Sequence, residues 1–225
     1  MKTSTIILST LIGSMTFLIV VGALQIRFTG TSKEEDTSYD YKSVDLPKGK
    51  ILVLNDAHLS LKSGENTSME IQFTEGTEAP EVSVEQKGDT VIIGWYERKQ
   101  GTSYSTTMTM APEDYHTILL NNGSIYFNNV ERDSLYLILN ESQIYFNPGQ
   151  RSRISLMDIN GSDSRIYINS GDIDQVNLDL NYCGGYINAP LELVSGSVAN
   201  ESNITFKDVK EFRIKRDNSS SIRHF

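Results

Sequence analysis

Ser124-Ile125-Tyr126-Phe127-Asn128 returns as Gln143-Ile144-Tyr145-Phe146-Asn147, then as Arg165-Ile166-Tyr167-Ile168-Asn169, and then as Gly185-Tyr186-Ile187-Asn188. The motif decays into Asn203-Ile204-Thr205-Phe206-Lys207 and Ser221-Ile222-Arg223-His224-Phe225. A second strand-like segment lies between successive copies: Ser134-Leu135-Tyr136-Leu137-Ile138-Leu139, Arg153-Ile154-Ser155-Leu156, Val176-Asn177-Leu178-Asp179-Leu180, Leu191-Glu192-Leu193 and Phe212-Arg213-Ile214. Both segments alternate apolar and polar residues with period two, the signature of a half-buried strand. A unit of two strands and two turns is too short to bury a core alone, and stacking such units does so. The expected fold is therefore all-β: a single-stranded parallel β-helix, or β-roll, over residues 116–225. Its coils should be right-handed, as parallel connections are. An antiparallel sandwich is the rival, and Asn122-Gly123 and Asn160-Gly161 would suit its hairpins. A meander, however, has no reason to repeat Ile-Tyr-(Phe/Ile)-Asn in register with its turns.

This register makes specific residues candidates. If Ile and Phe fill the interior, Tyr126, Tyr145, Tyr167 and Tyr186 point outward in one column. Aromatic rings with polar tips suit recognition of a sugar or a protein. The same column could instead be a self-stabilising ladder between parallel strands. Asn128, Asn147, Asn169 and Asn188 close equivalent strands, where asparagine bonds turn backbone, and their amides are expected to stack as a structural turn ladder. Asn140, Asn160, Asn181 and Asn218 are expected to do the same at the opposite turn. The fourth copy lacks its first inward residue, since glycine precedes Tyr186.

Upstream, residues 43–115 form a less regular β lead-in. Its strand-like pieces are Ile51–Leu54, Leu59–Leu61, Met69–Ile71, Val82–Val84, Val91–Ile93 and Thr107–Met110, with glycines 64, 76 and 88 between several of them. Residues 29–42 are polar and charged and read as a solvated tether. Residues 1–28 contain an uncharged apolar run from Thr5 to Ile26. About 20 apolar residues suffice for a transmembrane helix. Lys2 before the run and the acids Glu34, Glu35 and Asp36 after it place the N-terminus inside and the rest outside. The expectation is a signal-anchor with an extracytoplasmic C-terminal domain, periplasmic or on the surface. The alternative is secretion after cleavage near Val21-Gly22-Ala23.

The order of these segments resembles the bacterial head GIN domain family, also called auto-transporter adhesins, a group of exported β-helix proteins. The resemblance runs over roughly residues 40–225. It rests on Val44-Asp45-Leu46, the strand–turn piece Leu59–Glu65, the glycine-led strand Lys87–Ile93, the proline-ended strand Met108–Pro112, and the glycine-punctuated coils from Leu119 onward. It implies export and adhesion, and brings no catalytic or binding residues with it. This chain departs from that family in using asparagine where the family favours Gly-Ser turns.

Charge and composition narrow the function. The chain of 225 residues has 29 acidic and 20 basic side chains, for a net charge of −9. That sign argues against nucleic acid, whose phosphates need a basic face. The one cysteine, Cys183, belongs to no redox or metal motif and reads as a small buried residue. His58, His116 and His224 follow no metal-ligand spacing. Asp158-Ile159-Asn160-Gly161-Ser162-Asp163 faintly resembles a calcium loop, with Asp172 and Asp174 beyond it, but it lacks the distal glutamate. No nucleophile elbow, phosphate loop or zinc motif occurs. The C-terminal cations Lys207, Lys210, Arg213, Lys215, Arg216 and Arg223 fit the charged defence of an open β edge.

The sequence therefore predicts a non-enzymatic module for adhesion or for envelope or glycan interaction. It would need no cofactor or metal, and its partners would be the membrane through the N-terminal helix and a glycan or envelope protein. A structural or regulatory envelope component held by a single helix is the alternative. A carbohydrate-active β-helix enzyme is the second, because such folds place acid and base residues on an outer face.

Overall fold

The computed structural model describes residues 38–95, 104–147 and 152–225, and Tyr39–Phe225 form one compact unit. The expected membrane anchor, residues 1–28, lies outside the described residues. Among the described residues, no helix is long and apolar enough to cross a membrane. Every regular element among them is a strand.

The lead-in contributes β1 (Tyr39–Asp45), β2 (Ile51–Asn55), β3 (His58–Ser63), β4 (Ser68–Thr74), β5 (Val82–Lys87), β6 (Thr90–Trp95) and β7 (Tyr104–Met110). The coils follow as β8 (Thr117–Asn121), β9 (Ser124–Phe127), β10 (Glu131–Asn140), β11 (Gln143–Phe146), β12 (Arg153–Ser162) and β13 (Arg165–Ile168). They continue as β14 (Asp172–Asn181), β15 (Gly184–Ile187), β16 (Leu191–Ala199), β17 (Asn203–Phe206), β18 (Val209–Arg216) and β19 (Ser221–His224). One sheet has ten strands in the order β1-β4-β7-β3-β9-β11-β13-β15-β17-β19, and the other has nine in the order β18-β16-β14-β12-β10-β8-β2-β6-β5. From β8 onward each coil gives one strand to each sheet, and every neighbour is parallel. This is the all-β solenoid that the repeat predicts, and its parallel register rules out the antiparallel sandwich for the coils.

The alternation explains the core. Ile125, Ile144 and Ile166 stack inward on one sheet, beside Phe127, Phe146, Ile168, Ile187 and Phe206, all essentially inaccessible to solvent. The rings of Phe127 and Phe146 stack with centroids 4.4 Å apart. On the opposite sheet Leu135, Met157, Val176 and Val194 form one buried column, and Leu137, Ile159 and Leu178 form the next. Each such side chain stabilises the stack by ~1.5–3 kcal/mol, a gain realised only when the neighbouring coils are in place.

The division expected near residue 115 is not a structural boundary. β2 pairs with β8 and β3 with β9, both parallel and in the coil register, so Ile51–Ser63 form a coil of the same stack. Ser60 stands in the tyrosine column opposite Tyr126, which hides this coil from a motif search. The intervening residues add β6 parallel to β2 and β7 parallel to β3. Strands β1, β4 and β5 then pair antiparallel and close that end of the stack. The expected tether is also shorter than 29–42, because Tyr39–Lys42 pair with β4. At the other end, β18 and β19 are edge strands. Lys210 there pairs with Glu192 at 2.5 Å, and Arg213 with Glu211 at 2.5 Å, so charge lines the open edge.

The corner between the two strands of a coil follows one rule. A polar residue ends the first strand, the next residue has positive φ, and a small buried residue follows; after β16, which ends at Ala199, both Asn200 and Glu201 have positive φ. Asp56, Asn122, Glu141, Asp163, Tyr182 and Glu201 hold the positive-φ place. Gly123, Ser142, Ser164, Cys183 and Ser202 hold the small place. There Gly123 N donates to Ser142 Oγ at 3.3 Å, Ser142 N to Ser164 Oγ at 3.1 Å, and Cys183 N to Ser202 Oγ at 2.9 Å. Cys183 is thus a substitute for serine in a buried hydroxyl column, and its Sγ donates to Asn181 O at 3.3 Å. Burial pushes its thiol up from the ordinary value, which suppresses thiolate chemistry. Cys183→Ser should keep the bond pattern and shift stability by less than ~1 kcal/mol. Thermal unfolding of the variant, with thiol labelling of the parent before and after denaturation, checks this.

Candidate functional site

The tyrosine column forms because its four residues share one outward register position. Tyr126 pairs with Tyr145, Tyr145 with Tyr167 and Tyr167 with Tyr186. Ring centroids lie 4.7 Å apart with an 8° interplanar angle for the first pair, and 5.1 Å apart at 22° for the second. The third pair, at 5.0 Å, is tilted by 55°. These distances match the ~4.8 Å strand spacing, so the backbone sets the stack. Ser60 precedes the column, and Thr205 and Arg223 follow it.

The stacking decides which chemistry the column can offer. Between Tyr126 and Tyr167 the ring faces are covered by neighbouring rings, leaving ring edges and hydroxyls for contact. Tyr126 is 37% exposed, while Tyr145, Tyr167 and Tyr186 are half-buried. Desolvation lifts the Tyr145 phenol above its ordinary value, and the phenols of Tyr126, Tyr167 and Tyr186 add to the shift. The hydroxyl therefore stays protonated and can donate. Tyr145 Oη donates to Gln143 Oε1. Arg165 lies over Gly184 on the same flank, its Nη1 filling the space a Cβ would take.

The asparagines are arranged differently from the expectation. At the column's other flank, Asn188 Nδ2 donates to Asn169 Oδ1 at 3.4 Å, and Asn169 Nδ2 to Tyr186 Oη at 3.4 Å. Asn128 contributes its backbone N–H to Leu61 O, and Asn147 its carbonyl to Ser170 Oγ; their side chains extend no ladder. More amide–amide bonds lie at the opposite corner. Asn121 donates to Asn55 and Asn140 to Asn121, both at 2.8 Å, and Asn200 to Asn181 at 2.5 Å. Of the four residues expected there, Asn140 and Asn181 take part. Asn160 sits mid-strand opposite Ile138 and Asp179, and Ser162 holds the ladder position in its coil. At the last corner Asp217, not Asn218, accepts from Asn200 N, Ser219 and Ser220. Bonds from Ser220 foremost, with Asn200 and Ser219, hold its carboxyl down to about 2.

The remaining candidates do not converge. His58 bonds Ser124 Oγ at 2.8 Å, His224 stacks on Phe212, and His116 precedes β8. The stretch 158–162 is strand, not loop, so Asp158 and Asn160 share the outer face of β12. Asp172 and Asp174 line a separate recess. Among the described residues, no group of three His, Cys, Asp or Glu side chains could hold a metal ion.

No protein-family model matches the chain, and no curated protein does. Solved structures are similar in fold. A candidate adhesin from Parabacteroides distasonis aligns with a TM-score of 0.53 at 11% identity, over 84% of this chain and 94% of that one. One from Parabacteroides merdae gives 0.52 at 10%, over 84% and 97%. One from Bacteroides fragilis gives 0.50 at 9%, over 84% and 97%. At such identities the likeness is one of fold: this chain and these three proteins share an all-β solenoid of nearly matching extent.

Proposed function

We propose that this protein is a non-enzymatic adhesion module of the cell envelope that meets a glycan or an envelope protein along its tyrosine column. The observation that carries the reading is the continuous column from Tyr126 to Tyr186, stacked as far as Tyr167. The stack is a rigid aromatic stripe whose exposed groups are ring edges and hydroxyls. A surface already ordered by its own packing loses little entropy on binding. The three solved structures of similar fold are each named for adhesion, which is consistent with this role. The N-terminal apolar run would hold the module at the membrane with the solenoid outside. N-terminal sequencing of the exported form distinguishes a retained anchor from a cleaved signal.

The stacked faces also favour a second reading, in which the column serves only the fold and the protein is a structural envelope component. Two double variants separate these readings. Tyr145→Phe with Tyr167→Phe keeps the stack and removes two hydroxyls. Tyr145→Ser with Tyr167→Ser removes the stack. The adhesion reading expects the phenylalanine pair to melt with the parent yet lose retention on glycan arrays and on envelope-protein extracts. Retention unchanged by both pairs would overturn it. The serine pair should lose ~0.5–1.5 kcal/mol per broken aromatic contact under either reading.

A further inference from the structure

The nine-stranded sheet carries a second outward face, and there Tyr136, Asp158, Asn160 and Lys215 have no side-chain partner among the described residues. Two register columns run across it. One passes from Tyr136 on β10 through Asp158 and Asn177 to Ser195 and Arg213, and the other from Asn160 through Asp179 and Ser197 to Lys215. Between them lies a groove of about 540 Å³. Its floor is β16, where Ser195, Gly196 and Ser197 are small. Gly196 has φ +118°, and a Cβ there would fall 1.9 Å from Leu178 O, so this position takes no larger residue. The serine hydroxyls fix the near wall: Ser195 Oγ donates to Asn177 Oδ1 at 2.9 Å and Ser197 Oγ to Asp179 Oδ1 at 2.7 Å. Arg213 and Lys215 form the far wall, with the Arg213 guanidinium steadied by Glu211 through Nε at 2.6 Å.

We infer that this groove binds an oligosaccharide carrying an anionic group. Three features point to that ligand. Tyr136 is 44% exposed and stacks on no other ring among the described residues, unlike the four ladder tyrosines, so its ring is available to the C–H face of a sugar. The Asp158 and Asn160 side chains make no hydrogen bond among the described residues, leaving a carboxylate acceptor and an amide donor–acceptor on one strand face for neighbouring hydroxyls. Opposite them, Arg213 and Lys215 are the groove's cations: Lys215 has no ion pair among the described residues, and Arg213, held by Glu211 through Nε and Nη2, keeps Nη1 for a carboxylate or sulfate oxygen. From Tyr136 to Arg213 the groove crosses four strand spacings, ~19 Å, a span for several linked rings. This site is on the opposite sheet from the tyrosine column and stands or falls independently of it.

The test is calorimetric titration of the purified full chain with three acidic probes, a galacturonate tetrasaccharide, a hyaluronan tetrasaccharide and a sialyl trisaccharide, and with neutral cellotetraose. The expected result is binding of at least one acidic probe and none, or far weaker, of cellotetraose, with affinity falling as salt rises. For that probe, Tyr136→Ala and Lys215→Ala should each weaken binding by at least about tenfold, the scale of one lost good contact. Tyr145→Phe with Tyr167→Phe should leave it unchanged. All these side chains lie on the outside, and matching melting curves verify the fold. Equal or absent binding of acidic and neutral probes, or affinity insensitive to both groove variants, overturns the inference.

Discussion

Gly185→Ile is expected to destabilise the protein by ~2–6 kcal/mol, although it completes the repeat. Gly185 stands in the inward column between Ile166 and Ile204, and consensus reasoning would place isoleucine there to fill the core. The backbone forbids it. Gly185 has φ +151°, and a Cβ on it would lie 1.9 Å from Ile166 O and 2.7 Å from Ile166 C. The obstacle is main chain, not a side chain that could turn aside. A disfavoured φ costs ~1–3 kcal/mol, and forced overpacking a further ~1–3 kcal/mol. In a stack where each coil depends on its neighbours, that loss separates the coils on either side of β15. The urea-unfolding midpoint measures the effect. A midpoint at or above the parent's would show that the β15 backbone accepts the repeat's ordinary geometry.

Arg132→Leu should cost ~2–6 kcal/mol, at ~1–3 kcal/mol for each of two buried carbonyls left without a donor. Here too repeat logic points the other way, because Arg132 occupies the column continued by Ile154 and Ile173. It is nonetheless 8% exposed and buried in the stack. Its Nη2 donates to Ala111 O at 2.7 Å and Asp114 O at 2.5 Å, and its Nη1 to Tyr115 O at 3.2 Å. These carbonyls belong to the buried turn between β7 and β8, which no water-facing group could satisfy. The same turn is pinned by Thr67 Oγ1 to Asp114 Oδ2 at 2.5 Å and by the Tyr115 hydroxyl on Pro47 O. Burial raises the Tyr115 phenol to about 12, with Asp114 adding to the shift. Burial also pulls the Arg132 guanidinium below its ordinary value, against Asp114 and Glu113. Leucine would match the apolar column and strand the Asp114 and Tyr115 carbonyls, while Ala111 O would keep the Asp114 N–H at 3.1 Å. Denaturant unfolding with two probes, one reporting the lead-in and one the coils, checks the size of the loss. Stability equal to the parent would mean the turn does not depend on this cation.

These two residues mark where the sequence stops being legible. The stack could be read because Ile, Tyr and Phe recur at fixed register, and period-two alternation leaves one way to bury them. The outward tyrosine column followed from the same parity. What parity cannot report is which coil has its backbone drawn too close for a side chain, or which inward position is given to a turn instead of the core. Gly185 was visible as a missing residue, but not as a steric necessity. Arg132 gave no signal, since a cation followed by a polar run looks solvent-facing.

Amide ladders are expected at both corners, and each is only partly made by the asparagines expected there. Asn128, Asn147, Asn169 and Asn188 stand out because they follow a strong motif. Yet positive φ falls at Asn122, Glu141, Asp163 and Tyr182, residues of unlike chemistry that share only a place one before a small buried residue. Scanning for that small column (Gly123, Ser142, Ser164, Cys183, Ser202) would have found that corner. It would also have brought in Ala57, and with it the early coil. The groove on the second sheet was hidden because its polar residues read, strand by strand, as an ordinary solvated face.

The central claim is that alternate strands of the sequence are immediate neighbours. Pulsed electron–electron distance measurement tests it most directly, in a Cys183→Ser background with one spin label at Ser60 and the second moved among Tyr186, Thr205 and Arg223. All four positions lie in one outward column. The stack predicts distances rising from ~19 to ~24 to ~29 Å, one strand spacing per step. Steps of twice that size, or a sequence that does not rise, would mean other strands intervene and would contradict the solenoid.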